Sequence, residues 1–210
     1  MSKKRFITHN QHTVYYQSEG RGPAIVLLHG FLESMDIWQA FSEKLAEKYQ
    51  VILVDLPGHG LSEMQAESHT MDLMAESVDA VLSHLEIEKC VMIGHSMGGY
   101  VALAFAEQYT SKLSGLGVFH SHALADDTHA KINRGRAINV VKDNHKDFIS
   151  AFIPDLFTSK NQTLLAPQIL QLQEASRQMT KESIIAALEG MRHRTDKLQI
   201  LSNVSVPVLF

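Results

Sequence analysis

Residues 94–99 read Gly-His-Ser-Met-Gly-Gly, with a glycine two positions before the serine and another two positions after it. A serine hydroxyl is a weak nucleophile alone. It becomes effective when a base takes its proton and fixed N–H groups receive the negative charge that its attack creates. The residues just before it, Cys90-Val-Met-Ile, form an apolar run, and those after it, 97–109, are apolar at helical spacing. Strand, G-x-S-x-G and helix in that order hold a serine on a tight turn with Oγ projecting above a sheet. Ser96 is therefore the candidate nucleophile. The backbone N–H of Met97 falls at a helix N-terminus, where positive partial charge gathers, and is one candidate donor to an oxyanion. A glycine-rich turn that merely packs a helix on a strand would explain the glycines, but not their coincidence with both elements.

A second donor is expected from His29-Gly30-Phe31, which closes the apolar run Ala24–Gly30. Here the backbone N–H of Phe31 is the candidate, and losing such a donor typically costs ~3 kcal/mol of transition-state stabilisation. His29 reads as a buried, hydrogen-bonded side chain that shapes this loop and lines the pocket rather than as a base. Asp55 and His59, in Asp55-Leu-Pro-Gly-His-Gly-Leu-Ser62, read as structural members of a turn after a strand. His120 and His122 follow another apolar run and precede Asp126 and Asp127. They could serve as base and acid in a rewired arrangement, but the plainer reading is that they line the pocket or hold a hinge. As a metal pair they lack a third ligand at a suggestive spacing. The expected pocket thus comprises His29, Gly30, His95, His120, His122, Phe152 and Phe157, with Phe148 and Leu156 adding to an apolar roof. Arg194 and Asp196 are expected to pair with each other.

The elements that must position these groups alternate. Residues 4–9 and 12–18 read as two short strands around a turn at Asn10-Gln11, and 24–30, 51–58, 90–96 and 113–121 as apolar strands buried on both faces. Residues 35–48, 70–85 and 97–109 read as helices between them. An α/β fold with a doubly wound, mostly parallel sheet follows. From about Ala123 to Asp196 no buried strand is evident, and three or four helices, broken at Pro154 and Pro167, form an inserted layer. VPVLF at 206–210 begins one more strand. The expected division is a core over 1–121, a helical cap over 122–200 and a returning core strand over 201–210.

Composition sets outer bounds. The 210 residues are 45% hydrophobic and 20% charged, with a net charge of −4. That is ordinary for a globular domain, and no basic field points to nucleic acid or an anionic membrane. No signal-peptide pattern and no membrane-length apolar stretch is visible, and the single cysteine, Cys90, fits a reducing compartment. A cytoplasmic location is the expectation.

HGF at 29–31, DLPGHGLS at 55–62 and GHSMGG at 94–99, in this order and spacing, resemble the capped α/β-hydrolase superfamily, above all its esterase, cofactor-free haloperoxidase-like and carbon–carbon bond hydrolase branches. Ser96 departs from the dehalogenases and epoxide hydrolases, which place Asp at that position. The resemblance implies a serine hydrolase that acts on an ester, thioester or related carbonyl of a small-molecule acyl substrate through an acyl-enzyme, with no cofactor. It also implies a triad acid after the strand that VPVLF begins and a His after the next strand, both beyond Phe210. The expectation is therefore a chain cut short of its acid and base, with an uncovered sheet edge open to self-association. The alternative is a non-catalytic ligand-binding protein of the same fold, should the chain end at Phe210.

Overall fold

The computed structural model describes residues 3–210. Its centre is a seven-stranded mixed sheet in the order β1-β2-β4-β3-β5-β6-β7. β1 (Arg5–His9) and β2 (His12–Glu19) form an antiparallel hairpin. Asn10 and Gln11 both take positive φ, 49° and 69°, as a two-residue hairpin turn of matching twist requires. β2 runs antiparallel to β4 (Gln50–Val54), and every further pairing is parallel, through β3 (Ala24–Leu28), β5 (Cys90–His95), β6 (Leu113–Phe119) and β7 (Val208–Leu209).

β3 explains why the apolar runs are continuous. All five of its residues are buried. Alternate side chains serve opposite layers: Ile25 and Leu27 pack with Met35, Trp38, Val51 and Leu53, while Val26 and Leu28 join Met74, Val78, Val101 and Phe105. Helix α1 (Gln39–Leu45), entered through a 3-10 turn at Met35–Trp38, lies with the first group. Helices α2 (Met71–His84) and α3 (Met97–Gln108) lie with the second. Leu28 is in register with both Val54 and Gly94. The carboxyl ends of β3, β4 and β5 therefore finish level, and their following loops meet at one edge of the sheet, where ligands bind in open α/β folds.

Between β6 and β7 lies a helical layer of α4 (Thr128–Asp155), α5 (Ser159–Leu164), α6 (Ala166–Ser176) and α7 (Lys181–Arg192), followed by α8 (Leu198–Asn203). One helix ends at Asp155 and another begins at Ala166, beside the expected breaks at Pro154 and Pro167, and a further break lies within α4. α4 bends at Asn144 (φ −155°, ψ 93°), whose Oδ1 accepts from the N–H groups of Lys146 and Asp147 and so caps the second half. Pro154 lies inside α4. It cannot donate to the carbonyl of Ser150, and the Gln173 amide of α6 takes that acceptor at 2.9 Å. Pro167 stands in the first turn of α6, where a missing N–H is harmless. Among the described residues no helix is long and apolar enough to cross a membrane.

Candidate active site

Ser96 follows the last residue of β5 and precedes the first of α3. Its backbone has φ 51° and ψ −115°, a region that residues with a Cβ rarely enter. The turn is held from both sides: Ser96 N–H donates to the Phe119 carbonyl of β6 at 3.0 Å, and Gly99 N–H donates to the Ser96 carbonyl at 2.9 Å. Gly98 has no room for a side chain. A Cβ there would stand 2.6 Å from the carbonyl oxygens of both Leu28 and His29. The start of α3 thus rests directly on the end of β3, and the N–H of Met97, which has no intrahelical acceptor at this position, lies at that junction. The Met97 side chain is buried in the core.

The loop after β3 is closely tied. His29 is fully buried. Its Nδ1–H donates to the Gly30 carbonyl at 2.8 Å and its Nε2 accepts from Leu56 N–H at 3.0 Å. Burial lowers its pKa against the opposing pull of Asp55, so it stays neutral. An imidazole with both nitrogens engaged and no exposure shapes the loop, and it does not line the pocket as expected. Asp55 accepts from the N–H groups of Met35 (2.8 Å) and Leu61 (3.0 Å), with its pKa raised by burial. His59 is likewise buried, its pKa pushed well below the usual range by desolvation and by His29. Both are structural.

Ser96 opens onto a cavity of about 510 Å³. Gly30, His95, His120, Phe152, Leu156 and Phe157, named from the sequence, line it with Phe31, Glu33 and Leu172, whereas Phe148, expected in the roof, lines a neighbouring cavity instead. His122 is not there. It lies in a separate small cavity, its ring against Tyr100 (centroids 5.5 Å apart) and beside Arg194. Arg194 does not pair with Asp196. Its Nη1 donates to Asp126 at 2.5 Å, and Arg134 holds the same carboxylate. Asp196 instead accepts from Leu198 N–H at the start of α8. With Asp126 so engaged and Asp127 capping α4 by accepting from Ala130 N–H, the rewiring of His120 and His122 with these acids is not assembled.

Glu33 is the charged cavity residue that the sequence did not single out. Its Oε2 accepts from Gly30 N–H at 2.5 Å and contacts His95 Nδ1 at 2.9 Å, with the carboxylate side chain only 13% exposed.

A serine held on a strained turn between a parallel strand and a helix, facing a cavity under a helical layer, is the defining arrangement of the α/β hydrolases. The chain belongs to that family: the model described as alpha/beta hydrolase fold matches residues 23–198. Among solved structures it is similar to a thermophilic esterase from Thermogutta terrifontis, at 30% identity and a TM-score of 0.90, over 99% of this chain and 78% of that one. A bromoperoxidase from Bacillus anthracis, at 20% identity and a TM-score of 0.87 over 98% and 79% of the two chains, shares the fold. Among curated relatives, the pimeloyl-[acyl-carrier protein] methyl ester esterase of Vibrio campbellii is 43% identical over 103 residues, 49% of this chain and 39% of that protein. Matches to the curated relatives span from 28% to 39% of their lengths.

Proposed function

We propose that the protein is a serine hydrolase for carboxylic esters, thioesters or related carbonyl compounds, working through an acyl-enzyme on Ser96. The placement of Ser96 carries this reading: a left-handed backbone at the end of β5 sets its side chain at the wall of the 510 Å³ cavity, beside the loop of Gly30 and Phe31. Ser96 Oγ attacks the substrate carbonyl as its proton passes to a general base. The N–H groups of Phe31 and Met97 receive the charge on the carbonyl oxygen, the alkoxide or thiolate leaves with a proton, and water then releases the acid. Phe31, Phe152, Leu156, Phe157 and Leu172 give the cavity an apolar wall suited to a small or medium acyl chain. The esterases among the similar proteins support the same chemistry, which requires no metal or organic cofactor.

The test is labelling of the full-length protein with a fluorophosphonate, followed by peptide mass spectrometry and turnover of a panel of aryl esters. The adduct is expected on Ser96 and is expected to vanish in Ser96→Ala. An adduct that persists in Ser96→Ala, or no adduct on the wild type, refutes the assignment. Labelling without turnover of any ester favours a binding site of the same build.

A further inference from the structure

Phe31 can serve as a donor only if its N–H is aimed, and the peptide that carries it is pinned by His29 and by Glu33, which lies outside the motif. The Gly30–Phe31 peptide is planar, so fixing the Gly30 carbonyl fixes the Phe31 N–H on its opposite side. That carbonyl accepts from His29 Nδ1–H at 2.8 Å and from Glu33 N–H at 3.4 Å. The peptide before it is fixed by the Glu33 side chain. Leu32 takes φ 61°, which turns the chain back so that Glu33 Oε2 receives Gly30 N–H. The same oxygen meets His95, the residue immediately before Ser96. One carboxylate oxygen therefore closes the loop onto itself and ties it to the turn that carries the nucleophile. The space is fully used: a Cβ on Gly30 would lie 2.7 Å from Glu33 Oε2, 3.0 Å from His95 Nδ1 and 3.2 Å from Ser96 Cβ. On the far side, Ser176 of α6 donates to the Leu32 carbonyl at 2.6 Å, so the helical layer braces the loop as well.

We propose that Glu33 is a positioning residue for the reaction: through Gly30 N–H and His95 it holds the Phe31 N–H in register with Ser96. This rests on Ser96 acting as the nucleophile. Glu33 binds no substrate in this role, so its removal slows the step in which the oxyanion forms and leaves substrate affinity nearly unchanged. A donor displaced by about 1 Å can lower the rate on the order of 100-fold.

The experiment compares Glu33→Ala, Glu33→Asp and Glu33→Gln with the wild type in the full chain, reading the rate of fluorophosphonate labelling at Ser96 and, on an aryl ester, kcat and KM. Glu33→Ala is expected to lose about 100-fold in labelling rate and in kcat, with KM within a few-fold of wild type. Glu33→Asp, one methylene short of Gly30 N–H, is expected to behave like Glu33→Ala. Glu33→Gln keeps an oxygen at the right reach and is expected to recover part of the loss, which a mere packing role would not produce. Wild-type labelling rates in Glu33→Ala, or a loss confined to KM, overturn the proposal while leaving Ser96 as nucleophile intact. A wild-type chain that takes no label at Ser96 overturns both. Should Glu33→Ala fail to fold, Glu33→Gln decides: it must label more slowly than wild type with an unchanged melting temperature.

Discussion

The backbone of Ser96 makes a prediction about stability that is separate from chemistry. At φ 51° and ψ −115° a residue with a Cβ is strained, at a cost of order 1–3 kcal/mol. Glycine at the same angles removes that strain, but it also loosens the unfolded chain, which takes back about 0.4–1 kcal/mol. Ser96→Gly should therefore be more stable than Ser96→Ala by about 1 kcal/mol. The two variants are otherwise matched. Both lose the hydroxyl, and both keep the backbone bonds to the Phe119 carbonyl and from Gly99 N–H. For a chain of this size the difference corresponds to roughly 2–4 °C in Tm.

Thermal unfolding followed by circular dichroism, with all three proteins at equal concentration, reads this directly. Ser96→Ala is expected within about 0.5 kcal/mol of wild type, since neither differs from the other in strain. Ser96→Gly is expected above both. If Ser96→Gly melts at or below Ser96→Ala, the turn is not strained in solution, and the account of how the sequence exposes its serine fails.

Two further outcomes follow from buried charge. His69 is completely buried, and desolvation, helped by His12, lowers its pKa to about 4. Its folded pKa lies below the unfolded value of 6.5, so its neutral form contributes stability that is present above pH 6.5 and lost as pH falls toward 4, up to about 3 kcal/mol. Urea unfolding at pH 7.5 and 4.5 should show an acid loss that is smaller in His69→Gln than in wild type; equal losses would refute it. Asp126 is the second case. Burial alone would raise its pKa, but hydrogen bonds and charge from Arg134 and Arg194 outweigh that and lower it. Asp126→Asn leaves the buried Arg194 guanidinium uncompensated and should cost about 3 kcal/mol in urea unfolding, and adding Arg194→Met should recover part of that loss. A double variant as unstable as the sum of the two single ones would show that the pair is not coupled.

What was legible in the sequence was whatever is written locally. The β3 run is apolar throughout because both of its faces are covered, and Gly98 is glycine because two carbonyls stand where its Cβ would be. The failures are of another kind. Asp126 is 68 residues from Arg194, so proximity in sequence favoured Asp196 over the partner that the fold supplies. The bend at Asn144 has no proline or glycine to announce it, because an asparagine side chain caps the next turn instead. His120 and His122 both follow the apolar run of β6, and that position alone suggests that they reach the same end of the sheet. Residues two apart share a face only while the backbone stays extended. β6 ends at Phe119, and His120 takes φ 47°. The left-handed residue breaks the alternation: His120 stays at the wall of the nucleophile's cavity and His122 turns to Tyr100. Glu33 was missed for the same reason, since the positive φ of Leu32 folds it back onto Gly30. In both loops a single residue with a left-handed backbone decides which side chains reach the nucleophile's cavity, and composition and periodicity give no sign of it in a histidine or a leucine.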